Sequence, residues 1–381
     1  MSELANDNST PRTRLAKAKR WVLKIGSSLL TRQGTTLDRT MIRSLSQQIA
    51  RLRQEGKEVV LVSSGAVAAG VARLGWNERP SSVNELQAAA AIGQSGLIQA
   101  YEEALHDYQL IPAQILLDHD DIANRERYLN ARMALHTLLG LGVVPIINEN
   151  DTVVTEEIRF GDNDTLAAMV ANLIDAHVLC ILTDQLGMYD KNPAKFDDAL
   201  LLNQVDVDAA NLDSMASGGG KFGRGGMSTK VQAARLAAQS GAQTVVIGGN
   251  LPDAFSKLLL GDKVGTIFTS SRENKSARKQ WLVGQRRSRG SLIVDEGAVR
   301  AILHGGNSLL PVGVTHVGGI FSRGDLVDIF SENKELIARG LSSYPSSDAK
   351  LLCGKSSNEI YEILGYRHLD ALVHRDNLVL V

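Results

Sequence analysis

Short apolar segments alternate with longer segments of helical periodicity between residues 21 and 265. The apolar segments hold few polar residues, which is typical of strands buried on both faces of a parallel sheet. The predicted strands are Trp21–Ile25, Glu58–Ser63, Ile111–Leu117, Val143–Ile147, Val178–Thr183 and Thr244–Ile247, and the predicted helices are Asp38–Gln54, Asn84–Tyr108, Arg125–Leu139, Asp164–Ala176 and Ser228–Gln239. This alternation predicts an α/β domain, a three-layer α/β/α sandwich with a mostly parallel central sheet.

The pattern changes after Phe268, where a polar, basic segment leads into short strands separated by glycines. The predicted strands there are Ser291–Val294, Val312–Val317, Asp325–Ile329 and Leu336–Gly340, and the predicted helices are Glu296–His304 and Ser357–Leu364. We predict a small mixed β-barrel of roughly 80 residues in this part. The expected organisation is a flexible tail (1–20), an α/β domain (21–269), a basic linker (270–289), the barrel (290–370) and a C-terminal tail (371–381).

Length and composition indicate a soluble protein of two domains. The chain has 381 residues, more than one compact core usually holds. Hydrophobic residues make up 44% and charged residues 22%, ordinary values for a globular protein. A net charge of −1 excludes a global field toward nucleic acid or membrane. The basic start is followed by no apolar region, and the apolar stretch 166–182 is interrupted by polar residues, so neither a signal peptide nor a membrane span is expected.

The two cysteines, Cys180 and Cys353, lie far apart in the chain. We expect both to be reduced and structural, which fits a cytoplasmic location. The eight histidines are not clustered at ligand spacing, so no protein-bound metal is predicted.

Two glycine turns follow predicted strands. Lys24-Ile25-Gly26-Ser27-Ser28 combines a lysine with a turn that lets backbone N–H groups approach a phosphate. Ser63-Ser64-Gly65-Ala66 leads from a strand into a helix, where an anion could bind. Taken alone, Lys24 could be a surface charge and the second turn could be a helix cap.

A third motif places polar strings on both sides of the short segment Glu156–Phe160. Asn148-Glu149-Asn150-Asp151 follows a predicted strand directly, and Gly161-Asp162-Asn163-Asp164-Thr165 opens a predicted helix. Such polarity after an apolar strand is costly unless the groups meet a ligand or water. Asp151 and Asn163 are candidates to bind a substrate's ammonium group, while Asp164 could instead cap the helix.

The fourth motif, Gly218–Lys230, has six glycines in its first nine residues and then enters a helix. This composition suits a loop that closes over phosphates, with Lys230 in the first helical turn, although a flexible linker has the same composition. The order of a Walker A motif is absent. Two lysines, a carboxylate and glycine turns are the groups that phosphoryl transfer needs, because it depends on positioning and charge neutralisation.

The motifs from Lys24 to Phe268 resemble the amino acid kinase family, in particular its members that phosphorylate glutamate. The strings Asn148–Asp151 and Gly161–Asp164 and the run Gly-Gly-Met-Ser-Thr-Lys ending at Lys230 carry the resemblance. The C-terminal segment resembles the PUA domain that bacterial members often carry. The resemblance implies ATP-dependent phosphorylation of the L-glutamate side-chain carboxylate to L-glutamyl 5-phosphate, the first step toward proline, with proline as inhibitor.

By this resemblance Lys24 and Lys230 contact the transferred phosphoryl group, and Asp164 positions both lysines. The implied substrate-binding residues are Ser64, Gly65, Asp151, Asn163 and Arg159. The implied ATP-binding residues are Lys24, Thr183, Asp184, Arg224, Gly225, Gly226, Met227, Ser228, Thr229 and Lys230. Arg159 and Arg224 stand where some relatives carry lysine and threonine. Mg²⁺ would be held mainly by the ATP phosphates.

Family resemblance also implies a homo-oligomer, a tetramer or a dimer, and a transient handoff of the product to a glutamyl phosphate reductase. Related kinases act on N-acetylglutamate, aspartate, carbamate or UMP, and a site for a free ammonium group would distinguish among them. A different interpretation is an RNA-binding factor that uses the barrel and the seven Lys or Arg residues of 270–289. Few aromatics are available for base stacking, so RNA is not the expected partner.

Overall fold

The structure of the protein, a computed structural model, describes residues 10–32, 34–153, 163–217, 226–270 and 288–381. The strands up to residue 270 are β1 Arg20–Ile25, β2 Thr31–Arg32, β3 Thr36–Leu37, β4 Glu58–Val62, β5 Pro112–Leu117, β6 Val144–Glu149, β7 Val178–Thr183, β8 Gln204–Asp206, β9 Gln243–Gly248 and β10 Thr266–Thr269. The helices are α1 Pro11–Lys17, α2 Ser27–Leu30, α3 Arg39–Gln54, α4 Ala66–Arg73, α5 Val83–His106, α6 His119–Ala123, α7 Arg125–Gly140, α8 Asp164–Leu173, α9 Leu212–Ser217, α10 Met227–Ala238 and α11 Ala254–Leu260.

Eight of these strands form one sheet in the order β5-β6-β4-β1-β7-β9-β10-β8. Neighbouring strands are parallel except for β9 and β10, which pair antiparallel. The predicted α/β class with a mostly parallel central sheet is therefore confirmed. The short strands β8 and β10 at one edge were not predicted.

The sheet is covered on both faces, as the unbroken apolar runs predict. Trp21 and Leu23 of β1 contact the core formed with α3 and α5, while Val22 between them is fully buried as well. Because successive side chains of a strand point to opposite faces, Val22 lies on the other side of the sheet. Helix α3 presents its apolar face to the first side, and Asp38 caps it by accepting hydrogen bonds from the Thr40 and Met41 amides.

Helices α4 and α5 approach each other at a distance that requires glycine. A Cβ atom on Gly70 would lie 1.8 Å from the Ala89 carbonyl oxygen, and one on Gly93 would lie 1.8 Å from the Ala66 carbonyl oxygen. Any larger residue would separate the two helices. Since α4 begins directly after Gly65, this contact fixes the turn that follows β4.

The N-terminal tail prediction is wrong for residues 10–20. Pro11–Lys17 forms α1, which Thr10 caps, and the Leu15 side chain is buried in the core. The Arg12 guanidinium donates to the carbonyl oxygens of Asp262 and Val264 at 2.6 and 2.9 Å. The basic character suggested a solvated tail because the single apolar anchor is too little for a periodic pattern.

The C-terminal unit has its own sheet, in the order β12-β11-β13-β14-β15. The strands are β11 Gly290–Val294, β12 Val314–Gly319, β13 Leu326–Ser331, β14 Leu336–Leu341 and β15 Leu378–Leu380, and the helices are α12 Glu296–Leu303, α13 Ser346–Leu352 and α14 Ile360–Leu364. Strands β11 and β13 are parallel and the other pairs antiparallel, so the mixed sheet is confirmed. Its core includes Leu292, Ile329 and Leu352, all fully buried.

The prediction of a C-terminal tail at 371–381 is wrong. Leu372 and Val373 are fully buried, and β15 pairs with β14. Most of the basic linker, residues 271–287, lies outside the described residues, as do residues 1–9 of the N-terminal tail.

Each unit contains one cysteine. Cys180 lies fully buried in β7, and Cys353 is half-buried after α13, where its thiol donates to the Val314 carbonyl oxygen. Burial raises the pKa of both thiols. None of the helices in the described part of the chain is both long and apolar enough to cross a membrane.

Candidate active site

The carboxyl ends of β1, β4, β6 and β7 meet at one edge of the sheet because these strands are parallel. Lys24 lies near the end of β1, and Ser64 follows β4. Asn148 and Glu149 end β6, and Thr183 ends β7. Three polar motifs of the sequence and Thr183 thus reach the same edge.

A buried ion cluster joins three elements at this edge. The Lys24 ammonium lies 2.5 Å from Oδ1 of Asp164, and the Lys230 ammonium lies 3.0 Å from Oδ2. Asp164 is the first residue of α8 and is fully buried, while each lysine is only 4% exposed. Buried charges are tolerated when they are paired, so each lysine depends on this carboxylate.

The Asp164 carboxylate is ionised. Burial alone would raise its pKa, but the charges and hydrogen bonds of Lys24 and Lys230 more than offset this effect and hold the pKa well below its usual range. Thr229 also donates to Asp164 Oδ2 at 3.0 Å. The three side chains together have a formal charge of +1, and the two ammonium groups are suited to bind an anion.

The N-terminus of α10 faces this cluster, because Thr229 and Lys230 lie in its first turn. Gly226, which has no side chain to cap the helix, precedes it. The first backbone N–H groups of a helix lack partners within the helix and favour negative charge. The start of α10 therefore adds donors beside the two lysines.

A hydrogen-bonded amide network lies beside the cluster. Asn163 donates through Nδ2 to the Ser63 carbonyl oxygen at 2.7 Å and to Asn148 Oδ1 at 3.0 Å, and the same nitrogen is 3.4 Å from Ser64 Oγ. Asn148 in turn donates to Gln94 of α5 at 2.8 Å. The network fixes the orientation of both asparagines at the end of the sheet.

A polar cleft of about 330 Å³ opens next to this network. Its lining residues are Ser27, Ser28, Thr31, Gly34, Ser64, Gly65, Ala66, Val67, Ala68, Arg79, Asn148, Glu149, Asp151 and Asn163. The cleft ends beside the ion cluster, since Asn163 lines it and Asp164 is the next residue. Its volume is suited to a small metabolite.

Asp151 supplies a carboxylate inside the cleft. Burial raises its pKa to about 6, although the charge of Arg79 acts in the opposite direction. A partly desolvated carboxylate is a strong site for an ammonium group, because that ligand restores the charge balance.

The residues expected to bind nucleotide lie at two places. Thr183 is buried at the end of β7 and donates to the exposed Asp184 carboxylate at 3.0 Å. Gly226, Met227, Ser228, Thr229 and Lys230 form the start of α10. Arg159, Arg224 and Gly225 lie outside the described residues.

The structure brings Lys24, Asp164 and Lys230 into contact, and it places Ser64, Gly65, Asp151 and Asn163 around one cleft. Two further residues were not singled out from the sequence. Asn148 was part of a recognised polar string, and its position at the end of a strand could have indicated a site. Arg79 stands alone in a loop and gave no signal.

The fold and the ion cluster define a recognisable class. The chain matches the amino acid kinase family over residues 19–249 and the PUA domain over residues 290–364. It is 55% identical to glutamate 5-kinase of Teredinibacter turnerae over 96% of this chain and 98% of that protein. It is also 55% identical to glutamate 5-kinase of Saccharophagus degradans (96% and 98% covered) and 53% identical to that of Pseudomonas fluorescens (97% and 100% covered). The chain therefore belongs to the glutamate 5-kinases of the amino acid kinase family.

Proposed function

We propose that this protein transfers the γ-phosphoryl group of ATP to the side-chain carboxylate of L-glutamate, forming L-glutamyl 5-phosphate for proline biosynthesis. The observation that carries the proposal is the buried Lys24–Asp164–Lys230 cluster at the end of a cleft that holds Asp151. The relatives named glutamate 5-kinase, 53–55% identical over nearly the whole chain, support the same substrate.

The chemistry needs no general base. The side-chain carboxyl of glutamate has a pKa of about 4.3 and is ionised at neutral pH. One of its oxygens attacks the γ-phosphorus and forms the new P–O bond, while the bond from phosphorus to the β,γ-bridging oxygen breaks and ADP leaves with the electron pair. Lys24 and Lys230 neutralise charge on the transferred group, and Asp164 holds both ammoniums in place.

Nucleotide binding would use the start of α10 and the end of β7. The backbone N–H groups after Gly226 are placed to bind phosphate oxygens, and the pair Thr183–Asp184 lies one strand away from Lys24. The described residues contain no cluster of three or more His, Cys, Asp or Glu that could hold a metal. In the proposed reaction Mg²⁺ would be held mainly by the ATP phosphates, and it would supply further charge neutralisation.

Substrate selection would rest on the free ammonium group of glutamate. Asp151, with Asn163 and Ser64 nearby, offers an anionic site for it. N-Acetylglutamate has no such charge and would leave the Asp151 carboxylate desolvated without a partner.

The test is ATP turnover by the purified protein with the product trapped by hydroxylamine. We expect glutamate-dependent hydroxamate, and none with N-acetylglutamate or aspartate. ADP release with glutamate but without hydroxamate would contradict transfer to the carboxylate. Absence of turnover with every amino acid tested would refute the kinase proposal.

We also propose inhibition by proline at or overlapping the glutamate cleft, a homo-oligomer of two or four subunits, and transient handoff of the product to a reductase. Unchanged glutamate KM at millimolar proline would refute the first. Sedimentation at several protein concentrations decides the second, and a monomer throughout would refute it. A reductase that uses free product as efficiently as product formed in its presence would refute the third.

A further inference from the structure

Arg79 lies in the loop between α4 and α5 and lines the cleft. Among the described lining residues it is the only cationic side chain, and its charge acts on Asp151. Its own side chain is exposed to solvent, so it lies at the open side of the cleft.

The loop is held at both ends. Trp76 precedes it and Val83 follows it, and both pack against a small apolar cluster of α4 and α5. The same two helices are in contact through Gly70 and Gly93. The backbone of the loop is thus anchored on α4 and α5, the helix pair that follows Gly65.

Glutamate carries three charged groups, and the proposed function assigns binding residues to only two of them. In the proposed function, the side-chain carboxylate would point to Lys24 and Lys230, and the ammonium group would point to Asp151. The α-carboxylate is bonded to the same carbon as the ammonium group, so it must lie near Asp151 and the buried Glu149. Two carboxylates would repel it unless a cation is close.

We infer that Arg79 is a specificity-determining residue that binds the α-carboxylate of the amino acid substrate. This inference rests on the proposed function. An arginine suits the role because its planar guanidinium can donate two parallel hydrogen bonds to a carboxylate. Four charged side chains would then contact the substrate: Lys24 and Lys230 at its side-chain carboxylate, Asp151 at its ammonium group and Arg79 at its α-carboxylate.

The test compares L-glutamate with its α-amide, isoglutamine, in the hydroxamate assay. For Arg79→Leu we expect the KM for glutamate to rise roughly 10- to 100-fold, the effect of losing one charge-assisted hydrogen bond, while kcat changes less than about threefold. The KM for isoglutamine, or its Ki as a competitor, should change less than about threefold, so that the preference for glutamate over the amide collapses. Arg79→Lys should be intermediate, because it keeps the charge without the paired donors.

Arg43→Leu, on the exposed side of α3, is the matched control and should leave both substrates unaffected. An Arg79→Leu variant that keeps the wild-type preference for glutamate, or that weakens both ligands by the same factor, would overturn the inference. Failure of the proposed function is seen separately, because then the wild-type protein itself forms no glutamate-dependent hydroxamate.

Discussion

The cluster of Lys24, Asp164 and Lys230 is costly for the folded state. Three charges are removed from water, and a group of apolar residues of similar size would often be at least as stable. The structure offsets part of this cost through two ion pairs and the hydrogen bond from Thr229. A cost of this kind is typical of a site arranged for its ligand, which fits the proposed binding of a phosphoryl group by the two ammonium groups.

Lys24→Ala or Lys230→Ala should lower kcat by at least about 100-fold, the size typical of losing one donor to the transition state. The hydroxamate assay measures this effect. Lys263→Ala, at an exposed position of the same unit, is the control and should retain wild-type kcat. A loss below about tenfold for both active-site variants would refute the assigned roles.

The pKa of about 6 at Asp151 predicts that glutamate binds less well at acidic pH. Only the ionised carboxylate binds an ammonium group, so kcat/KM for glutamate should fall about tenfold per pH unit below pH 6. The side-chain carboxyl of glutamate ionises about two pH units lower and does not cause this fall in kcat/KM. Asp151→Asn should lower kcat/KM at pH 8 by at least about tenfold and should abolish the further fall in kcat/KM below pH 6.

Circular dichroism over the same pH range separates protonation of Asp151 from unfolding. A flat kcat/KM between pH 5 and pH 7 in the wild-type protein would contradict the assignment of the ammonium site to this residue.

At the scale of elements, the contact between α4 and α5 positions the wall of the cleft. Gly93→Ala would place a Cβ atom 1.8 Å from the Ala66 carbonyl oxygen and 2.3 Å from the Gly70 nitrogen. We expect α4 to shift, with a loss of about 1–3 kcal/mol in the free energy of unfolding and a raised KM for glutamate. Urea unfolding and the hydroxamate assay measure the two effects.

Gly96→Ala on the same helix is the matched control. Its Cβ atom would lie 3.7 Å from the Arg73 side chain, an ordinary contact, so the variant should be neutral or more stable by up to about 1 kcal/mol. Equal behaviour of the two alanine variants would contradict a close approach at Gly93.

Periodicity predicts the elements that are long or fully buried. Strand β7 was predicted at its observed bounds because all six residues are buried and apolar apart from Thr183. Strands β10 and β15 and helix α1 were missed because they are short, and short elements are stabilised by tertiary pairing more than by local preference. The sequence pattern does not predict the α4–α5 contact either, since Gly70 and Gly93 could each be an ordinary helix glycine.

For a similar reason, sequence reasoning identified some residues of the site and missed others. Each motif indicated an anion or polar ligand, but the grouping of Lys24, Asp164 and Lys230 came from family resemblance and not from spacing. Their contact depends on the end of β1 and the starts of α8 and α10, which only the folded protein brings together. Arg79 lies in a loop without a pattern, so only the folded cleft indicates its position.

At the scale of the whole molecule, each unit has a separate apolar core. All site residues named above that the structure describes belong to the first unit. Leu352→Ala, at a fully buried position of the second core, should cost about 2–5 kcal/mol in the unfolding of that unit. Below its transition temperature, glutamate-dependent turnover should stay within about twofold of wild type.

Leu351→Ala, next in sequence but 58% exposed, is the control and should change neither property. Differential scanning calorimetry together with the hydroxamate assay tests the pair. A parallel loss of activity and stability in Leu352→Ala would show that turnover depends on an intact second unit.

The two cysteines, one in each unit, can be used to detect local opening of the two sheets. Alkylating reagents attack the thiolate, and the raised pKa of each thiol slows that attack in the native state. Cys353 should react when the small sheet opens locally, and Cys180 only when the central strand of the large sheet is exposed. Intact-mass spectrometry of a timed alkylation would then count zero, one or two adducts, and peptide mapping would tell which sheet opened first without any introduced label.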